Sequence, residues 1–193
     1  GTWTGNNCDS NVGIGNYSMD AAMDDANNNT ALGHQSLSAL TTGDSNVAVG
    51  TNSLDANDTG NGYTALGYNS LSAQAGTTHG TTAVGHNAYY LNNYGGTWEL
   101  SVAVGYEAGG NQTGGFYNTF LGASTTGNDA TATNQIVIGY HAAGIDDNYA
   151  VIGNGSTTRL YIADDQGGQL FAGTSTINTS DRRIKKDIKD SDL

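Results

Sequence analysis

The chain has 193 residues, with 29 Gly, no Pro, one Cys, 36% hydrophobic residues and a formal net charge of −12. This length indicates one domain or one elongated module. The single Cys8 excludes a disulfide within the chain. No segment has the roughly 20 consecutive apolar residues of a membrane-spanning helix, so we expect no membrane insertion. The composition also excludes collagen-like and polyproline structure.

Charge is unevenly distributed along the chain. Residues 1–158 contain twelve acidic residues and no Lys or Arg, whereas all six basic residues lie in 159–193 together with six acids. The first segment therefore carries the whole net charge. Because binding to phosphate groups needs Lys or Arg, nucleic acid is excluded as a partner of this segment.

A short phrase recurs along the chain, from NVGIG at 11–15 through NVAVG at 46–50 to AVIG at 150–153. Each occurrence closes with a glycine. The closing glycines are Gly15, Gly33, Gly50, Gly67, Gly85, Gly105, Gly122, Gly139 and Gly153. They are separated by 14 to 20 residues, and most often by 17. Nine occurrences at this spacing indicate a repeat protein.

The residues before the closing glycine form columns from repeat to repeat. The residue directly before it is always aliphatic, and the residue three before it is mostly β-branched. In an extended strand these two columns point to the same face. The column between them points to the other face and contains Gly, Ala, Phe or Val. A strand that is apolar on both faces is expected to be buried on both.

These features predict an all-β fold, a parallel β-solenoid of about nine coils stacked ~4.8 Å apart. We expect the two aliphatic columns to fill the narrow interior of the coil. The small, mostly Ala column is expected to pack against another copy of the chain, which predicts a homo-oligomer with three chains as the preferred number. Helix is not expected, apart from a turn or two at 19–26.

The phrases NVAVGTNSL (46–54), YTALGYNSL (63–71) and TTAVGHNAY (81–89) resemble the head repeats of trimeric autotransporter adhesins and the glycine-rich repeats of bacteriophage tail fibres. The resemblance covers roughly residues 11–156. It implies a left-handed parallel β-roll, three of which pack into a homotrimer. The adhesin repeat is shorter than all but the last repeat of this chain.

The segment INTSDRRIKKDIKD (177–190) is similar to the opening of the C-terminal intramolecular chaperone domain of phage tailspikes and fibres. This resemblance implies self-cleavage of the Thr179–Ser180 bond, with Ser180 as the nucleophile and Lys185 as the base. A lysine can act so when burial or neighbouring cations lower its pKa. The family's domain is many tens of residues long, and fourteen residues follow Thr179 here. We therefore expect this polypeptide to remain uncut and to have no other enzymatic activity. A solvated charged tail is the alternative interpretation.

Three segments follow from these patterns. Residues 1–156 are predicted to form the repeat solenoid, and residues 157–178 a short β neck with two strands joined at DDQGGQ (164–169). Residues 179–193 are the start of the chaperone domain implied by the resemblance.

Two groups of aromatic side chains are candidates for receptor binding. The first stands directly after the closing glycine and includes His34, Tyr68, His86, Tyr106 and Tyr140. Stacked on successive coils, these form either a sugar-binding stripe or a cover for the coil corner. The second group lies in longer insertions and comprises Tyr89, Tyr90, Tyr94, Trp98, Phe116 and Tyr117. Tyr and Trp are frequent anchors of recognition surfaces, although Trp98 is also suited to pinning its own loop.

No metal site and no cofactor is predicted. The four His residues lack the spacing of a zinc site. The acidic pairs at 24–25, 55/58 and 146–147 are candidate Ca²⁺ ligands, but they do not form the regular array of a calcium-binding β-roll. No phosphate-binding glycine loop is present.

The expected function is therefore structural and adhesive. The chain is expected to be the distal region of a trimeric phage tail fibre that recognises a host cell-surface glycan or outer-membrane protein, in the virion or at the cell surface. A bacterial trimeric surface adhesin is the first alternative. A tailspike-like polysaccharide depolymerase is the second, and it requires a pair of carboxylates. The two glutamates of the chain, Glu99 and Glu107, are its candidates.

Overall fold

The computed structural model describes residues 8–74, 79–91 and 100–160. Within these ranges it contains nine three-residue strands and no helix, so residues 19–26 are not helical. The strands are β1 Val12–Ile14, β2 Thr30–Leu32, β3 Val47–Val49, β4 Thr64–Leu66, β5 Thr82–Val84, β6 Val102–Val104, β7 Thr119–Leu121, β8 Ile136–Ile138 and β9 Ala150–Ile152. Each strand ends directly before a closing glycine, so the repeated phrase and the strand coincide.

The nine strands form one parallel sheet in chain order. Equivalent residues pair throughout, as in Ala31 with Ala48 and Ala48 with Ala65. The predicted all-β parallel β-solenoid is confirmed. We call strand βn with the segment that follows it coil n. The nine strands delimit eight complete turns, slightly fewer than the predicted number of coils.

The face of each strand that points into the coil is the opposite of the one predicted. The middle residues of β2 to β8 are fully buried within the chain itself: Ala31, Ala48, Ala65, Ala83, Ala103, Phe120 and Val137. The aliphatic columns on either side of them point out of the solenoid. The expectation that the aliphatic columns fill the coil, with alanine packing against another chain, was wrong. The interior of one coil is narrow, and large side chains enter it from the opposite side, so the strands contribute mostly small ones.

The opposite side of the interior comes from the residues three and four after the closing glycine. The first of these is small, and the second is large and buried at five successive coils: Met19, Leu37, Leu54, Leu71 and Tyr89. The small residue is often Ser, whose hydroxyl donates to the glycine carbonyl, as from Ser53 to Gly50 at 3.0 Å. The alanine column and the large column belong to one hydrophobic cluster.

A corner with several residues of positive φ joins each strand to this buried segment. Gly67 has φ +140°, and a Cβ at this position would lie against the carbonyl of Gly85 on the next coil. Asn69 and Leu71 then both have φ 51°. The same backbone recurs in the neighbouring coils, with Asn52 at 55° and Leu54 at 51°. This corner directs the large side chain back into the coil, beneath the strand.

Buried asparagines connect the first coils. Asn29 and Asn46 directly precede β2 and β3, and both are fully buried. The Nδ2 of Asn46 donates to the Gly60 carbonyl at 2.9 Å, and the Tyr63 N–H donates to the Oδ1 of Asn46 at 2.9 Å. Farther along, the Gln135 N–H donates to the Oδ1 of Asn118 at 2.9 Å. This column was not among the sequence predictions, although Asn opens the phrases NVGIG and NVAVG.

The C-terminal predictions fall largely outside the described residues. A division of the chain into two units lies between Ser156 and Thr157. Of the predicted neck, residues 157–160 are described and contain no strand. The rest of the neck and the segment 179–193, with Ser180 and Lys185, lie outside the described residues. In the part of the chain that is described, no helix has the length and apolar character needed to span a membrane.

Candidate functional site

The outward-facing strand residues form a largely apolar surface, in which threonine is the first residue of four strands. We call the first and third residues of β1 to β9 the strand face. Its most exposed large side chains are 39% to 59% exposed and comprise Val12, Ile14, Leu32, Val47, Leu66, Val102, Leu121, Ile136 and Ile152. The face contains no charged residue. Its length is about 40 Å if the coils are ~4.8 Å apart. An apolar surface of this extent on a chain of net charge −12 is typical of an interaction site.

An aromatic stack lies next to the strand face, at the position directly after the closing glycine. His86 is sandwiched between Tyr68 and Tyr106, with ring centroids 5.0 Å and 5.2 Å away and interplanar angles of 23° and 17°. Tyr68 is 46% exposed and Tyr106 is 52% exposed. The rings at this position therefore stack on one another in coils 4 to 6, and the outer surface of the stack is open to solvent.

The other members of this column do not extend the stack. His34 is exposed and makes an edge-to-face contact with Tyr17, at 5.7 Å and 87°. Tyr140 is exposed and makes a similar edge-to-face contact with its neighbour His141, at 4.2 Å and 78°. Coil 7 carries Ala123 at this position, so no ring bridges Tyr106 to Tyr140. The column is a three-ring stack with separate aromatic residues on either side.

The aromatic residues assigned to the longer insertions differ in their exposure to solvent. Tyr89 is fully buried, and its ring lies 6.1 Å from that of Phe120. Its proposed role as an exposed binding residue was wrong, because Tyr89 occupies the core position that Leu71 fills in the preceding coil. Tyr90 is half-buried. Phe116 packs edge-to-face on Tyr117, which is 49% exposed. Tyr94 and Trp98 lie outside the described residues.

Glu107 directly follows Tyr106 and interacts with two members of the aromatic stack. Its carboxylate accepts a hydrogen bond from the Tyr106 hydroxyl, and this bond and the negative charge raise the pKa of Tyr106 above its usual value. The backbone N–H of Glu107 donates to the carbonyl of His86 at 2.9 Å, which holds it in register with the coil before. Glu107 is also one of the two candidates for the carboxylate pair of a polysaccharide depolymerase. Its partner Glu99 lies outside the described residues.

The acidic residues that the structure describes do not converge on a metal site. Among the described residues, no group of three or more His, Cys, Asp or Glu side chains is placed to hold a metal ion. Asp55, one of the candidate Ca²⁺ ligands, is partly buried instead. Burial raises the pKa of its carboxyl above the usual value, although hydrogen bonds from the backbone at Asp55 and Ala56 oppose this effect. Its Oδ1 has no hydrogen-bond partner within the part of the chain that the structure describes.

Comparison with protein-family models, with curated proteins and with solved structures found no match to this chain. The resemblances of the repeat and of the tail therefore remain interpretations of the sequence. The solenoid itself offers three features for function: the largely apolar strand face, the exposed aromatic stack, and Glu107 beside the stack.

Proposed function

We propose that the chain is a structural and adhesive segment of a homotrimeric fibre. The fibre would be a phage tail fibre, part of the virion, and this chain its distal region, which recognises a receptor on the host cell surface. The observation that carries the proposal is the strand face, an uncharged and largely aliphatic surface that runs along all nine strands and includes four threonines. A chain exposing such a surface alone in water would be prone to association, so a partner for this surface is expected.

The free energy available from covering the strand face is of the size that association requires. Nine large aliphatic side chains on it are about half exposed. Covering the exposed part of each contributes on the order of 1 kcal/mol. The total, on the order of 10 kcal/mol per chain, is comparable with the ~4–15 kcal/mol that association costs in lost freedom of motion.

The proposed partner on the strand face is a second and a third copy of the same chain. Every strand presents the same two columns, so copies arranged around an axis parallel to the solenoid bring equivalent strands to the same level. The strand face has no carboxylate, and its burial therefore does not force the strongly acidic chains to bring charges together within the contact. This arrangement supports a fibre, which also agrees with the repeat resemblance.

The adhesive part of the proposal depends on the exposed aromatic residues. Tyr68, His86 and Tyr106 offer a three-ring stack, and Tyr117, farther along coil 6 than Tyr106, is also exposed. Three copies of each surface in one fibre let individually weak contacts add to stable attachment. The receptor is proposed to be a surface glycan or an outer-membrane protein.

Native mass spectrometry of the purified chain tests the proposal. The expected result is an assembly with three times the 19.8 kDa mass of one chain. A compact monomer at micromolar concentration would overturn it, because the strand face would then be stable in water. The mass of the denatured chain also tests the tail: an uncut chain extends through Leu193, whereas a chain ending at Thr179 would show the self-cleavage that the resemblance implies.

A further inference from the structure

A small cavity opens where coils 5, 6 and 7 meet. Its volume is about 220 Å³, and it is lined by Tyr90, Glu107, Gly110, Asn111, Ser124 and Thr126. The volume is below the ~300–1,000 Å³ of sites for drug-sized ligands, and it suits a single small ring. None of the lining residues belongs to the strand face, so assembly through that face does not use them.

The backbone ladder of the solenoid holds the cavity walls in place. Glu107 and Ser124 occupy the same position in successive coils, with φ of 52° and 54°. Their N–H groups donate to the coil before, to His86 at 2.9 Å and to Tyr106 at 2.8 Å. The Asn111 side chain is also fixed, because its Oδ1 accepts from the Gly127 N–H at 2.9 Å and its Nδ2 donates to the Gly127 carbonyl at 3.1 Å. A ligand would thus meet a site that is already formed.

The polar groups of the cavity suit hydroxyl recognition. The hydroxyls of Ser124 and Thr126 belong to residues that line the cavity, and each can both donate and accept. The Glu107 carboxylate accepts hydrogen bonds only and supplies the negative charge of the cavity. The ring of Tyr90 supplies an aromatic wall. Gly110 leaves that wall uncovered, since a Cβ there would lie 3.7 Å from the Tyr90 ring.

The charge of the site restricts the class of ligand. Glu107 is the only charged residue in the lining, and residues 1–158 have no Lys or Arg. An anionic ligand would meet a carboxylate and no cation to neutralise it. From the fixed walls, the available hydroxyls, the aromatic ring and the charge, we infer that this cavity binds one uncharged sugar ring of a glycan and rejects acidic sugars. The inference rests on the proposed receptor-binding function and names its ligand class and its site.

Ligand-observed NMR with the intact chain tests the inference, with D-glucose, D-galactose and N-acetyl-D-glucosamine as neutral probes and D-glucuronic acid as the acidic probe. At least one neutral sugar is expected to bind in the millimolar range, and D-glucuronic acid is not. Tyr90→Ala should weaken the neutral sugar at least tenfold, equivalent to about 1.4 kcal/mol. Glu107→Gln should weaken it and also reduce the discrimination against D-glucuronic acid. Tyr149→Ala removes a 52% exposed ring outside the cavity and is expected to leave binding unchanged.

Failure of this inference is distinct from failure of the proposed function. If none of the neutral sugars binds, or if Tyr90→Ala and Tyr149→Ala bind equally, the cavity is not a sugar site, whatever the native mass shows. If D-glucuronic acid binds as well as the neutral sugars, the charge argument is wrong. A trimer that attaches to cells but binds none of the neutral sugars would point to a protein receptor and would also overturn the inference.

Discussion

Asn46 donates two hydrogen bonds to the same atom of Asn29, one from its backbone N–H at 2.9 Å and one from its Nδ2 at 3.1 Å, both to Oδ1. The two residues occupy the same position in successive coils, and both are fully buried. The bond pair satisfies polar groups that the interior would otherwise leave without partners, and it connects one coil to the next. Stability along this solenoid is therefore carried partly by side-chain amides and not by apolar packing alone.

Asn46→Ala is expected to destabilise the fold by about 1–3 kcal/mol. The substitution removes the acceptor of the buried Tyr63 N–H and one of the two side-chain donors to the Gly60 carbonyl, the other being Asn57. Urea unfolding followed by circular dichroism measures the effect. Asn16→Ala is the matched control, because Asn16 is exposed, and a change within about 0.5 kcal/mol is expected there. Equal effects of the two substitutions would contradict a structural role for the buried amides.

Gly67→Ala is expected to cost at least about 2 kcal/mol, since it combines backbone strain with a steric clash. Gly67 has φ +140°, and a Cβ at this position would lie against the carbonyl of Gly85. Thermal unfolding of the variant provides the measurement. Gly155→Ala serves as the control, because a Cβ at Gly155 meets no atom within 4 Å. A Gly67→Ala protein as stable as the control would show that the coil corner is less tightly constrained than the structure indicates.

Leu66→Asp and Leu121→Asp are expected to convert the assembly into single chains. Both leucines lie on the strand face and are about 45% exposed in the single chain, at 46% and 45%. The change should therefore leave the solenoid folded while placing a buried charge in the proposed contact, at a cost of several kcal/mol for each copy. Light scattering gives the mass, and circular dichroism the fold.

Ile145→Asp is the control for this experiment. Ile145 is 69% exposed and lies outside the strands, so the same substitution there should leave the assembly intact. If the strand-face variants assemble as well as Ile145→Asp, the copies do not meet through the strand face.

Asp55→Asn is expected to raise the unfolding temperature at neutral pH. Burial raises the pKa of Asp55 above the usual value of 3.8, so the folded state holds the proton more strongly than the unfolded state does. The ionised carboxylate thus weakens the fold as pH rises from 3.8 through the folded-state pKa, and this penalty is complete at neutral pH. The gain from Asp55→Asn should be small, because the site is partly exposed, and it should vanish below pH 3.8.

Asp24→Asn controls for the loss of one negative charge from a chain of net charge −12, because Asp24 is exposed. Differential scanning calorimetry across acidic and neutral pH compares the two variants. The same gain for Asp24→Asn would attribute the effect to general charge repulsion instead of to the burial of Asp55.

The aromatic candidates show how far the sequence predicted the site. The equal spacing of Tyr68, His86 and Tyr106 after their glycines was enough to predict that their rings stack, and they do. Tyr89 was assigned to an exposed insertion, although its place four residues after Gly85 matches that of Leu71 after Gly67. The repeat position, followed strictly, would have placed Tyr89 in the core. The grouping of Tyr90 with Ser124 and Thr126 could not be predicted, because it depends on how three corners of unequal length meet.

The repeat by itself determined where every strand begins and ends, which residues pair across the sheet, and that the coils stack in chain order. These follow from local spacing, since a glycine that must adopt a positive φ marks each corner and β-branched residues precede it. Which face of the strand lies inside was decided only by the tertiary structure. With Val47, Ala48 and Val49 apolar on both sides, the sequence pattern has no preference, and the choice depends on where the corner sends Leu54. That side chain fills one half of a narrow interior, which leaves space for alanine opposite and places the valines outside.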